Sequence, residues 1–192
     1  KFGAPVVVMG IAPIGLMAVE GARHLGAARI IAVGSRPVCV KLAREFGASE
    51  VISYRDGDVV QQVLEKTGGV GADSVILCGG GDEVFTQAVD MVRYGTGTIS
   101  NVNYYGGTGC LGFPKFSGGR GMAGKTIHTE LAKGGRARIE RLLAMVKYGR
   151  IDPQKLVTHH LYGLDKVEDA LYMMKEKADD LVKVMVKIDW KD

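Results

Sequence analysis

Two short stretches carry residues fit to recognise a phosphorylated ligand. The first is Gly10-Ile11-Ala12-Pro13-Ile14-Gly15, directly after the apolar run 5–9. Its spacing, G-x-A-x-x-G, is one methyl group away from the dinucleotide-binding pattern G-x-G-x-x-G. In that pattern the first glycine makes the tight turn and the third lets a helix approach a strand. The middle glycine lets a pyrophosphate come close to the backbone, beneath the free N–H groups of a helix N-terminus. Ala12 adds a Cβ at that point of approach. An ordinary strand-to-helix turn would use similar residues; the strand–turn–helix setting favours the ligand. The second stretch is Gly34-Ser35-Arg36, which ends the apolar run 29–33. It lies about 20 residues past the glycine turn, where such folds place an Asp or Glu against a ribose diol. A hydroxyl and a guanidinium would instead attract a 2′-phosphate, which a carboxylate repels. The pattern predicts a preference for NADP(H). Ser35 also stands where it can cap the next helix, and a cap beside a solvated Arg36 is the competing explanation.

Two later stretches belong with these. Cys78-Gly79-Gly80-Gly81 ends an apolar run and offers backbone room for a cofactor ribose. Asn101-Val102-Asn103-Tyr104 ends another, so Val102 and Asn103 are candidates to face a nicotinamide ring; plain turn residues would read the same way. Histidines 24, 128, 159 and 160 show no HxxxH, HExxH or Cys/His spacing, and each reads as structural. There is no GxSxG elbow, Walker motif or acid–base constellation. Neither a catalytic residue nor a metal ligand is assigned.

The elements that must position these residues alternate regularly. Apolar runs at 5–10, 29–33, 50–54, 73–81 and 97–106 predict buried strands, with helical periodicity at 14–26, 37–47, 58–68 and 82–92. Gly26 and Gly47 stand at helix ends, and Pro37 in a first turn. Such alternation requires parallel strands joined by right-handed crossovers: a doubly wound α/β fold whose ligand lies outside the carboxyl ends of the strands. After residue 105 come a Gly-rich loop (106–124), a short extended segment (125–131), a helix (136–153), an extended segment (155–163), a helix (164–177) and a strand (181–188). The expected organisation is a dinucleotide-binding Rossmann domain over 1–131 and a C-terminal α+β segment over 132–192.

Bulk properties exclude other classes. Of 192 residues, 46% are hydrophobic, too many for a disordered chain. No apolar run approaches the ~18 residues of a membrane span, and no signal-peptide layout appears. Cys39, Cys78 and Cys110 are dispersed and odd in number, which points away from a disulfide framework and toward a reducing, cytoplasmic setting. The net charge of +4 is modest. Arg136, Arg138 and Arg141 share a helix without aromatic interleaving, so they read as a solvated face or an interdomain contact and not a nucleic-acid surface.

The stretches "GIAPIGLM", "RIIAVGSRP", "NVNYYG" and "KLVTHHLYGLDKVEDALYMMKEKADDLVKVMV" together resemble the zinc-containing, NADP-dependent secondary alcohol dehydrogenases of the medium-chain dehydrogenase superfamily, over nearly the whole chain. The resemblance implies that Gly34, Ser35, Arg36 and Tyr54 contact the 2′-phosphate. It implies that Lys183 reaches the cofactor near its phosphates, and that Asn103 lies near the nicotinamide. Ala12 departs from the family's middle glycine. The resemblance also implies a catalytic zinc domain preceding this segment, with its ligands outside it, so that this is the cofactor-binding piece. Residues after about 131 would return to that domain. The substrate would be a small secondary alcohol or ketone, and the assembly a dimer or tetramer, with "TISNVNY" near a sheet edge as a pairing surface. A stand-alone NADP(H) sensor or interaction module, and part of a non-zinc reductase, are the alternatives.

Overall fold

The computed structural model describes residues 2–188, so residue 1 and residues 189–192, the outer ends of the two expected segments, lie outside it. The apolar runs form strands β1 (Pro5–Met9), β2 (Arg29–Val33), β3 (Glu50–Ile52), β4 (Ser74–Leu77), β5 (Thr98–Asn101) and β6 (Thr126–Thr129). They pair in parallel in the order β3-β2-β1-β4-β5-β6. Register runs from Pro5 against Arg29 to Met9 against Val33, and from Val6 against Ser74 to Met9 against Leu77. The sheet is the expected doubly wound one, and its strand order reverses between β1 and β4.

Why the runs are continuously apolar is visible in β1. Val7 and Met9 point into one core, with Ile31, Val33, Val75 and Leu77 and the helices α3 (Val59–Lys66) and α4 (Glu83–Met91). Val6 and Val8 point into the other, with Leu16 and Val19 of α1 (Pro13–His24) and Leu42 and Phe46 of α2 (Pro37–Phe46). A strand covered on both faces has no solvent side to make polar. Helix ends follow local chemistry. Gly47 takes a left-handed conformation (φ 115°) at the end of α2, and Asp58 caps α3 by accepting from Gln61 N at 3.0 Å.

Two expectations are corrected and a third is sharpened. Ser35 does not cap α2. Pro37 opens that helix, which makes Arg36 the N-cap residue, and no side chain caps it. Segment 97–106 is not one strand: β5 ends at Asn101, where the Asn103 N–H turns back to Asn101 Oδ1 at 3.2 Å. β5 does lie near the sheet edge, one strand in from it. The segment 125–131 supplies a sixth strand, Thr98 facing Thr126 and Asn101 facing Thr129, and that strand, β6, is the exposed edge.

The remainder forms a second unit: α5 (Arg136–Lys147), β7 (Val157–Tyr162), α6 (Val167–Glu176) and β8 (Lys183–Lys187), with β7 and β8 paired in parallel. It is stitched to α2. Arg36 donates to the Leu181 carbonyl at 2.6 Å, and Val38 N–H donates to the Asp179 carbonyl at 3.2 Å. Lys155 pairs with Glu45 at 3.2 Å, and Val182 is buried in the α1–α2 core.

Candidate functional site

A cleft of about 720 Å³ opens at the carboxyl ends of β1, β2 and β4, where the strand order reverses. That is where an open parallel sheet leaves space between helices leaving on opposite faces. Its floor is glycine. Gly10 has φ +86°, and a Cβ there would lie 2.8 Å from Gly79 Cα and N, so the turns after β1 and β4 touch backbone to backbone. A Cβ on Gly34 would strike the Ile11 side chain, and one on Gly15 would strike the Gly10 carbonyl. Ala12, by contrast, has φ −73° and ψ −176°, ordinary backbone for any residue.

Above the floor stands the N-terminus of α1. No side chain caps it, and its first residue, Pro13, has no N–H to leave unpaired. The first-turn amides of Ile14 and Gly15 therefore lack helical partners, and the helix dipole adds positive character.

The far end of the cleft is polar and cationic. Ser35, Arg36, Tyr54, Arg55 and Lys177 all line it. Ser35 Oγ is buried and completes no hydrogen bond of good geometry with the protein. The Tyr54 phenol beside it is held below the ordinary tyrosine range, first by the Ser35 hydroxyl, against an upward push from burial, and then by the charges of Arg55 and Arg36. A buried hydroxyl left without a partner is costly unless a ligand completes it. Lys177, with φ 54°, is the one non-glycine residue in the left-handed region among the described residues. The strain turns the chain from α6 back over the cleft.

The structure thus brings Gly10, Ala12, Gly34, Ser35, Arg36, Tyr54, Gly79 and Gly80 to one cleft, with Pro13, Ile14 and Gly15 at its helical rim. Asn103 is tied to it through Nδ2, which donates to the Gly80 carbonyl at 3.2 Å. Cys78 lies behind the floor in the α1–α2 core, its thiol pushed up to about 12 by burial. Val102 lines a separate, smaller cleft of about 230 Å³ with His128 and Glu130, and Tyr104 is exposed. Lys183 sits exposed on β8 and does not line the main cleft; Lys177 does. Arg55, Lys177, Asp179 and Glu83 are the charged lining residues that sequence reasoning missed. Arg55 follows Tyr54 directly, which is the signal that could have found it. Among the described residues, no group of three or more His, Cys, Asp or Glu is placed to hold a metal ion.

Residues 13–128, from the start of α1 into β6, match the family model described as "Zinc-binding dehydrogenase". The chain belongs to the zinc-binding dehydrogenase family. Among curated relatives, it is 48% identical over 192 residues to the NADP-dependent isopropanol dehydrogenase of Entamoeba histolytica, covering 100% of this chain and 52% of that protein. It is 50% identical over 186 residues to the protein of the same name from Clostridium beijerinckii, covering 97% and 53%. Among solved structures, an alcohol dehydrogenase from Thermus sp. ATN1 superposes with a TM-score of 0.86 at 30% identity, covering 98% of this chain and 52% of that one. This zinc-binding dehydrogenase segment therefore spans about half the length of the curated relatives it matches.

Proposed function

We propose that the chain is the NADP(H)-binding portion of an oxidoreductase that passes hydride between a small secondary alcohol or ketone and NADP. The observation that carries the reading is the end of β2. There a buried Ser35 hydroxyl that completes no well-formed hydrogen bond with the protein stands with Arg36, Tyr54, Arg55 and Lys177, where an NAD enzyme would carry a carboxylate. The donor set suits a phosphate dianion, and the glycine floor with the uncapped α1 terminus suits a pyrophosphate. The nicotinamide, when bound, supplies the hydride chemistry.

The chain's own residues bind and orient. Gly10 and Gly79 admit the diphosphate backbone, Ile14 and Gly15 offer it their amides, and Ser35, Arg36 and Tyr54 fix the adenosine end. Gly80, held to Asn103, sets the course of the β4 and β5 ends toward the nicotinamide. Val102, Asn103 and Tyr104 belong to that end of the proposal, with Cys78 behind the floor; Lys183 on β8 stays in it as a contact near the phosphates, and Lys177 joins it from the cleft lining. The zinc implied by the family is proposed to be held by a catalytic domain outside this segment, where the resemblance places its ligands. The boundary near residue 131, a reducing cytoplasmic setting in keeping with three free thiols, and a dimer or tetramer pairing through the exposed edge β6 complete the proposal.

Calorimetric titration of the 192-residue chain tests it. NADPH is expected to bind at least about tenfold more tightly than NADH, a difference of about 1.4 kcal/mol. The chain alone is expected not to oxidise 2-propanol with NADP. Equal affinities overturn the cofactor reading, and measurable turnover overturns the division of labour.

A further inference from the structure

The cationic end of the cleft holds two guanidinium groups, and they are not equivalent. Arg36 is already engaged: one of its N–H groups donates to the Leu181 carbonyl at 2.6 Å, across 145 residues of chain. That bond ties the turn before β8 to the start of α2. The geometry leaves Arg36 able to offer charge and its remaining N–H groups to a ligand, but not free to close around one.

Arg55 differs. It follows Tyr54 on the loop leaving β3 and lines the same cleft. Its backbone N–H donates to Ser53 Oγ at 3.1 Å, which fixes the loop beneath the side chain. None of the ion pairs among the described residues includes its guanidinium, which bonds instead to the Tyr54 phenol and helps draw that group's pKa down. A guanidinium with a phenol oxygen as its neighbour and no carboxylate partner keeps N–H groups of its fork for a ligand.

We propose that Arg55 is a further specificity-determining residue for the 2′-phosphate, beside Ser35, Arg36 and Tyr54. Its planar fork takes the phosphate oxygens from the β3 side, with Ser35 and Tyr54 donating between it and Arg36. Arg36 serves the phosphate and the C-terminal turn at once. This rests on the NADP(H) reading of the cleft and adds to it a division of labour between the two arginines.

The test is titration of the full chain with NADPH and NADH, using wild type, Arg55→Ala, Arg55→Lys and Arg36→Ala. Arg55→Ala is expected to weaken NADPH at least about tenfold and to move NADH by less than twofold. Arg55→Lys should recover part of the loss, since the ammonium keeps the charge without the fork. Arg36→Ala should weaken NADPH and also lower the melting temperature, because the Leu181 bond goes with it. Arg55 is exposed, so its variants should melt with wild type. An equal loss for both cofactors with Arg55→Ala overturns the proposal. So does an unchanged NADPH affinity with Arg55→Ala alongside a lost preference with Arg36→Ala; in that case the NADP(H) reading stands. A wild type that does not distinguish the two cofactors overturns that reading, and the proposal with it.

Discussion

At the scale of single residues, the site depends on where a Cβ is absent. Gly10 sits at φ +86° with Gly79 backbone 2.8 Å from where its Cβ would be. Neither the dihedral nor the space suits an L side chain. Gly10→Ala should therefore cost about 1–3 kcal/mol and lower the melting temperature by several degrees. It should also weaken cofactor binding, since relief can come only by moving the β1 and β4 turns apart. An unchanged melting temperature and affinity would refute the close approach. Ala12 is the contrasting case. The sequence pattern marks it as the anomalous position, yet its dihedrals are ordinary and its Cβ is conformationally free of cost. The constraint that the motif encodes lies at Gly10, Gly15 and Gly34, where an added Cβ would meet backbone or Ile11.

At the scale of elements, β3 is only three residues long, and its hold on the sheet is partly ionic. Glu50 on β3 takes Arg29 of β2 and Lys66 at the end of α3, the latter at 2.7 Å. These partners hold its carboxyl below the ordinary value of 4.5, Lys66 contributing most. A depressed folded-state pKa gives stability that is present above 4.5 and is lost as pH falls through the folded value. Both cations are more than a third exposed, at 38% and 36%, so the contribution is about 1 kcal/mol or less. Wild type should melt a few degrees above Glu50→Gln at pH 7, and the gap should close toward pH 3. A gap independent of pH would remove the ionic account. The same region shows how far sequence reaches. Apolar runs and glycine ends made β1 to β5 and their helices legible, because burial on two faces leaves a local signature. The pairing of β6 with β5 was not legible, since four exposed residues carry no pattern and only a distant partner makes them a strand. Ser35 and Arg36 could be read from their position, whereas the Arg36 bond to Leu181 could not. Among the C-terminal lysines, the resemblance pointed to Lys183, and Lys177 went unread. The left-handed turn that brings Lys177 to the cleft occurs at a lysine, where no glycine announces it.

At the scale of the whole molecule, the C-terminal unit is unevenly attached. Helix α5 buries no residue and α6 only Ala170, so Leu142, Leu143 and Leu171 face outward. The attachment is concentrated in the turn before β8. Leu181 and Val182 are each 1% exposed, Arg36 holds the Leu181 carbonyl, and Val38 holds the Asp179 carbonyl. Lys177 and Asp179 of that turn also wall the cleft. A ligand that fills the cleft must therefore favour the docked turn over the undocked one, by up to about 2.7 kcal/mol when present at a hundredfold excess over its dissociation constant. The expected signature is local. Saturating NADPH should slow hydrogen exchange at the amides of Val38, Leu181 and Val182, which donate to Asp179 O, Ala178 O and Thr158 Oγ1 respectively. The amides of α5, whose helix shares no wall with the cleft, should exchange at their unliganded rates. Slowing spread evenly over both units would mean that the cofactor stabilises the chain only as a whole. No slowing at Val38 and Leu181 would mean that the turn is not part of the binding site.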